Sequence, residues 1–99
     1  MGEGSSCSKT SVLVVDDDPV QARATVRLLK IVGLDAVAVA DIGSAMTELA
    51  RRPVQVLLSD LHLGPESGGD LVARARRDFP ALTTVLISGA APDEFEPVA

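Results

Sequence analysis

Short apolar runs alternate with helical patterns along most of this chain, and this alternation restricts the possible fold more than any other feature. Three of the four runs are almost entirely apolar, which is typical of parallel strands that are covered on both faces. We predict strands over Val12–Val15, Ala36–Val39, Val54–Leu58 and Thr84–Ile87.

The segments between these strands predict three helices, because their apolar residues recur at helical spacing. The helices are expected over about Pro19–Val32, Ile42–Arg51 and Gly69–Asp78, with Asp18, Asp41 and Ser67 as their N-terminal caps. The order β-α-β-α-β-α-β favours right-handed crossovers, and with them a parallel sheet that has helices on both faces. The prediction is therefore an α/β fold, a three-layer, doubly wound parallel sheet in a single domain.

Composition and charge exclude several classes of function. The chain has no Trp or Tyr and a net charge of -5, whereas a nucleic-acid-binding surface needs a basic patch. The only cysteine, Cys7, excludes a disulfide within the chain, and no apolar run is long enough to cross a membrane. Residues 1–10 are mostly polar and predict a disordered N-terminal tail. We expect a cytoplasmic protein with no direct nucleic-acid partner and no membrane contact.

Chemically useful side chains follow the ends of the predicted strands. Asp16 and Asp17 come directly after the first strand. Asp60 follows the third strand and Ser88 follows the fourth. Ligands of open α/β sheets bind at this edge, and clustered carboxylates suit Mg²⁺, which prefers oxygen ligands. Beside Mg²⁺, Asp60 could attack phosphorus to form an acyl phosphate, to which the Ser88 hydroxyl could donate. Asp18, followed by a proline, is expected only to cap the first helix.

Three segments, "VLVVDDDP", "LLSDLHLGPESGGDL" and "VLISGA", resemble in this order the signature segments of the receiver domain of two-component response regulators. The resemblance covers about Ser11 to Ala91 and implies a flavodoxin-like, receiver-like fold. It also implies a phosphorelay function without enzyme activity. In that function the chain would accept a phosphoryl group, with Mg²⁺, from a histidine kinase or phosphotransfer protein, and so switch protein–protein interactions.

The same resemblance implies roles for individual residues. Asp16 and Asp17 would form the acid pair that binds Mg²⁺, joined by Asp60 and by the backbone carbonyl of His62. Asp60 would be the phosphoacceptor, and Ser88 would be the hydroxyl that responds to phosphorylation.

The chain departs from the family pattern in two places. Gly64 replaces a proline of the family in the loop after the third strand, and neither Lys9 nor Lys30 can match the family's lysine on a fifth strand. We predict an incomplete receiver domain over residues 11–99, truncated after the fourth strand, with no fifth strand or fifth helix. Either the chain is a piece of a longer protein, or it is a short receiver-like protein that completes itself by association. The open edge of the fourth strand could then pair with a second copy as a homodimer.

Two other functions stay open. Loss of the family's lysine favours a receiver-like binding module that acts through protein contacts without phosphotransfer. The segment "LVVDDDPV" also fits the first motif of haloacid-dehalogenase-like phosphatases, with Asp16 as nucleophile and Asp18 as acid and base. That interpretation leaves Asp60 without a role.

Overall fold

The computed structural model describes residues 9–87 and 96–98. Its strands are β1 (Ser11–Val15), β2 (Asp35–Val39), β3 (Val56–Asp60), β4 (His62–Leu63), β5 (Glu66–Ser67), β6 (Thr83–Ile87) and β7 (Glu96–Val98). Its helices are α1 (Pro19–Ile31), α2 (Ile42–Arg51) and α3 (Gly68–Asp78). The predicted alternation of strands and helices is confirmed, and within the described residues no helix is long and apolar enough to span a bilayer.

The main sheet has the strand order β2-β1-β3-β6-β7, and its first four strands are parallel. The order reverses at β1, because the chain first adds β2 on one side and then β3 on the other. The carboxyl ends of these strands are level, since Val15 pairs with Val39 on one side and with Ser59 on the other. The sheet therefore brings the residues after β1 and at the end of β3 to one edge.

Side chains that alternate along the strands form a core on each face of the sheet. One core contains the inward residues of α2 and α3 packed on Leu13, Val15 and Leu57. The other packs α1, through Val26 and Leu29, over the opposite face of β1 and β2. The three-layer, doubly wound prediction is confirmed.

The three predicted helix caps are confirmed. Asp18 accepts a hydrogen bond from the Val20 N–H at 3.0 Å, and Asp41 accepts one from the Ser44 N–H at 2.7 Å. Ser67 Oγ accepts a hydrogen bond from the Gly69 N–H. These side chains satisfy N–H groups that have no partner inside the helix, so the starts of all three helices are encoded locally.

Two features of the sheet differ from the prediction. The strand β3 starts and ends later than the predicted Val54–Leu58, because its ladder begins opposite β1 at Val56 and continues until Asp60 pairs with Ile87. The four parallel strands agree with the predicted truncated sheet, but one short strand was not predicted, since residues 96–98 pair antiparallel with Thr84–Leu86 of β6. The edge of β6, which was expected to be open, therefore has a neighbour along these residues. The pairing satisfies main-chain N–H and C=O groups that an edge strand would otherwise expose.

Candidate functional site

Three carboxylates meet where β1 and β3 end. One carboxylate oxygen from each of Asp16, Asp17 and Asp60 lies within 4.8 Å of the others. Because β1 and β3 are adjacent and Val15 pairs with Ser59, the next residues, Asp16 and Asp60, must lie side by side. The sheet register thus produces the acidic cluster that the strand-end pattern predicted.

Asp16 is the buried member of the cluster, with 7% of its surface exposed. Burial raises the pKa of its carboxyl, a hydrogen bond from the Asp18 N–H to Oδ1 at 2.9 Å lowers it, and the charges of Asp60 and Asp17 raise it again. The net shift is upward. The ionised form of Asp16 is therefore destabilised by burial and by the neighbouring acids, and a nearby cation would offset this cost.

The other two carboxylates are reachable from solvent, since Asp17 is exposed and Asp60 is partly buried. Within residues 9–87, none of the three forms an ion pair with a Lys or Arg. An oxygen-only set of three close carboxylates fits a hard divalent cation such as Mg²⁺, which keeps open positions for water or phosphate oxygens. Asp16, Asp17 and Asp60 are thus suited to hold that ion.

Asp18 does not join the cluster. Its carboxylate accepts hydrogen bonds from the Val20 and Gln21 N–H groups at the start of α1. The expectation that Asp18 caps the helix is confirmed, and its carboxylate is turned toward the helix terminus rather than toward Asp16.

The segment after Asp60 folds back on the site. The His62 N–H donates to Asp60 Oδ1 at 3.4 Å, while the residue itself is exposed. The Leu61 N–H donates to the Ile87 carbonyl at 2.6 Å, which ties this segment to the end of β6. The expected role of the His62 carbonyl as a metal ligand stays a prediction. Ser88, which follows Ile87, lies outside the described residues, and its role also stays a prediction.

Sequence reasoning assigned no structural role to Gly64, which lies beside Asp17, or to Glu66, which lies two residues later. A Cβ built on Gly64 would lie 3.4 Å from Asp17 Oδ2, and Gly64 has a φ of +63°. The side chain of Glu66 accepts a hydrogen bond from the Ile42 N–H at 3.1 Å. The Gly-Pro pair at residues 64–65 was a turn signal that could have located the first of these.

Comparison with known proteins gives one family and many similar structures. The model of the response regulator receiver domain matches residues 12–98. A response regulator receiver protein from Pseudomonas putida is 34% identical, with a TM-score of 0.77 over 88% of this chain and 74% of that chain. A signal receiver domain of an HD domain-containing protein from Pseudomonas fluorescens Pf-5 is 29% identical, with a TM-score of 0.76 over 86% and 62%.

A third similar structure is a response regulator protein from Burkholderia pseudomallei with a phosphorylated aspartic acid, a calcium ion and citrate. It is 26% identical, with a TM-score of 0.77 over 84% of this chain and 49% of that chain. The chain therefore spans only part of the length of these relatives. No curated protein matches it. The structural neighbours confirm the flavodoxin-like, receiver-like fold that the motifs implied.

Proposed function

The chain belongs to the response regulator receiver family, and on that basis we propose that it accepts a phosphoryl group on Asp60 as a step in two-component signalling. The single observation that carries this proposal is the convergence of Asp16, Asp17 and Asp60 within 4.8 Å at the carboxyl edge of the sheet. A carboxylate at a strand end, open to solvent and beside two further acids, has the position that phosphoryl transfer to an aspartate needs.

In the proposed reaction, a carboxylate oxygen of Asp60 attacks the phosphorus of a phosphohistidine. The P–N bond of the donor breaks, its electron pair stays on the imidazole nitrogen, and an aspartyl phosphate forms on Asp60. The hydrogen bond from the His62 N–H to Asp60 Oδ1 helps to orient the attacking carboxylate. The partial exposure of Asp60 leaves room for the donor to approach.

Asp16 and Asp17 would hold Mg²⁺ together with Asp60, and we propose the His62 carbonyl as a further ligand. When bound, Mg²⁺ supplies positive charge that offsets the charge of the carboxylates and the phosphoryl oxygens. Asp16 contributes a charge fixed by burial and by the Asp18 N–H, whereas exposed Asp17 can adjust to its ligands. We also propose that Ser88 donates its hydroxyl to the attached phosphoryl group.

The Burkholderia pseudomallei neighbour supports this proposal, because that protein carries both a phosphorylated aspartic acid and a divalent cation. By analogy, the partner of this chain would be a histidine kinase or a phosphotransfer protein. The output would be a shift between two conformations that changes its protein contacts, rather than an enzyme reaction. We place this function in the cytoplasm, where such donors would meet it.

A receiver-like binding module without phosphotransfer is the second candidate. The observation that favours it is that, within residues 9–87, the acidic cluster has no Lys or Arg in ion-pair contact. Lys30 lies in the last turn of α1, which has 13 residues and is about 20 Å long, while the acidic cluster lies at the first turn. The phosphatase alternative has less support, because the Asp18 carboxylate is engaged by the N-terminus of α1.

The test is incubation with Mg²⁺ and acetyl phosphate, followed by intact-mass spectrometry. The proposal predicts one phosphoryl adduct on the wild type, its loss in Asp60→Asn, and its retention in the matched control Asp18→Asn. A folded wild type that gains no adduct supports the binding module. Release of free phosphate that depends on Asp16 but not on Asp60 supports the phosphatase.

A further inference from the structure

A small hairpin, β4–β5, follows directly on Asp60. Its strands pair antiparallel, with Leu63 opposite Glu66, so its loop consists of the two residues Gly64 and Pro65. Two-residue hairpin loops require a positive φ in the first or both loop positions, and Gly64 has a φ of +63°. Pro65 restricts the next φ to about -65°. The geometry of the hairpin tip is therefore determined by its own two residues.

The tip of this hairpin lies against Asp17. A Cβ on Gly64 would be 3.4 Å from Asp17 Oδ2, which is van der Waals contact with the carboxylate. Within the described residues, Asp17 accepts no hydrogen bond that would hold its side chain, unlike Asp16. The hairpin tip is thus close to the Asp17 carboxylate, and any side chain larger than hydrogen at position 64 would contact it.

Glu66 fastens the hairpin to a helix that is distant in sequence. Its Oε1 accepts a hydrogen bond from the Ile42 N–H at 3.1 Å. Ile42 is the first residue of α2, so its N–H has no partner inside the helix, and a carboxylate there also interacts favourably with the helix dipole. The Ile42 side chain is 7% exposed and belongs to the main core. The hydrogen bond therefore joins the hairpin to a rigid part of the molecule.

We propose that Glu66 is a positioning residue for the acidic cluster. Its hydrogen bond to α2 holds the hairpin tip beside Asp17, and it thereby sets the affinity of the cluster for Mg²⁺, a role that rests on the function proposed above. Leu63, which is 2% exposed, anchors the opposite strand of the hairpin in the core. Loss of the Glu66 contact would leave Leu63 as the main side-chain anchor near the tip.

A competing explanation is charge alone, because any carboxylate near a cation site attracts the cation. Two substitutions separate the explanations. Glu66→Gln removes the charge but keeps an acceptor oxygen for the Ile42 N–H, whereas Glu66→Ala removes both. Glu48→Ala is the matched control, because it makes the same charge change on α2 at a residue that pairs with Arg51 and Arg52.

The experiment is titration of each purified 99-residue chain with MgCl₂, in which binding is measured by calorimetry and by changes in amide chemical shifts. We expect Glu66→Ala to weaken Mg²⁺ binding about five- to tenfold, which is about the net effect of one typical hydrogen bond. Glu66→Gln should stay within about twofold of the wild type and Glu48→Ala should match it. Because Glu66 is exposed, these variants are expected to fold.

A second pair of variants tests the tip without touching Glu66. Gly64→Ala and Gly33→Ala both place a Cβ on a residue with positive φ, +63° and +96° respectively. A Cβ on Gly33 meets nothing within 4 Å, so this variant reports the backbone strain alone. We expect both variants to lose stability because of the backbone strain. Only Gly64→Ala should also weaken Mg²⁺ binding.

Three results would overturn the role of Glu66. Equal losses in the Gln and Ala variants would mean that charge is responsible. Unchanged affinity in Glu66→Ala, with a wild type that binds Mg²⁺, would overturn the positioning role and leave the proposed function intact. A wild type that does not bind Mg²⁺ would overturn both the positioning role and the magnesium site.

Discussion

Gly68, the first residue of α3, packs directly on the backbone carbonyl of Asp60. A Cβ built on Gly68 would overlap the carbonyl oxygen of Asp60 and would lie 3.0 Å from its carbonyl carbon and from Leu86 Cδ1. The Gly68 N–H also donates to the Leu61 carbonyl at 2.8 Å. The start of α3 and the main chain at Asp60 are therefore in contact, and the smallest side chain is required between them.

Substitution of Gly68 should be costly for this reason. Gly68→Ala must move the backbone that carries Asp60, and we expect it to lower the free energy of unfolding by about 2–3 kcal/mol. Urea denaturation followed by circular dichroism measures the change. Gly43→Ala is the control, because its Cβ would have an ordinary contact of 3.7 Å at an exposed position in the first turn of α2. A helical Gly→Ala change there should raise stability by about 0.5–1 kcal/mol. Equal effects at the two glycines would contradict the close contact.

The raised pKa of Asp16 predicts how stability depends on pH in protein free of divalent cations. A carboxyl whose pKa is higher in the folded state binds more protons folded than unfolded, so its contribution to stability is lost as pH rises above 3.8. Asp16→Asn keeps an acceptor for the Asp18 N–H and removes the charge. We expect this variant to be more stable than the wild type at neutral pH, with the difference shrinking toward acid pH. A variant that is less stable at neutral pH would contradict the raised pKa.

Asp41 should behave in the opposite way. Hydrogen bonds from Ser44 lower the pKa of its carboxyl, so its contribution to stability is present above pH 3.8 and is lost as pH falls through the lower, folded pKa. Asp41→Ala should therefore destabilise the protein at neutral pH, and the loss should be smaller in strong acid. Thermal unfolding at a series of pH values checks the sign. A loss of stability that is independent of pH would contradict a charged cap.

Substitutions of Asp18 and Asp17 should separate the effect of helix capping on stability from the effect of cation binding. Asp18→Ala should cost about 1 kcal/mol as the loss of a helix cap, yet the protein should still be stabilised by Mg²⁺. Asp17→Ala should change stability little in the absence of cations, and Mg²⁺ should no longer stabilise this variant. At ten times the dissociation constant, Mg²⁺ should stabilise a binding-competent chain by about 1.4 kcal/mol. Loss of the Mg²⁺ response in Asp18→Ala would contradict this division.

The sheet could be predicted from the sequence because its strands and helices depend on local patterns. The acidic cluster could be predicted because it follows from the order of these elements. The apolar runs defined β1, and capping residues such as Asp18 defined where helices begin. Topology then required the acids after β1 to meet Asp60. The two-residue strands of the hairpin are too short to show a period. The contact from Glu66 to Ile42 joins residues far apart in sequence, and no local pattern encodes such a contact.

The strand β7 escaped prediction for a related reason. It is three residues long and contains Pro97, which lacks an N–H and so occurs in sheets mainly on edge strands. Its pairing with β6 is antiparallel, whereas the alternating pattern predicts only parallel neighbours.

Chemical location of the phosphoryl group tests the central claim most directly. After incubation with Mg²⁺ and acetyl phosphate, borohydride reduction converts an aspartyl phosphate to homoserine, and peptide mass spectrometry then identifies the residue. We predict homoserine at position 60 alone, with none formed when EDTA removes Mg²⁺. Homoserine at position 16 or 17, or a folded protein with no modified residue, would contradict the assignment of Asp60 as the phosphoacceptor.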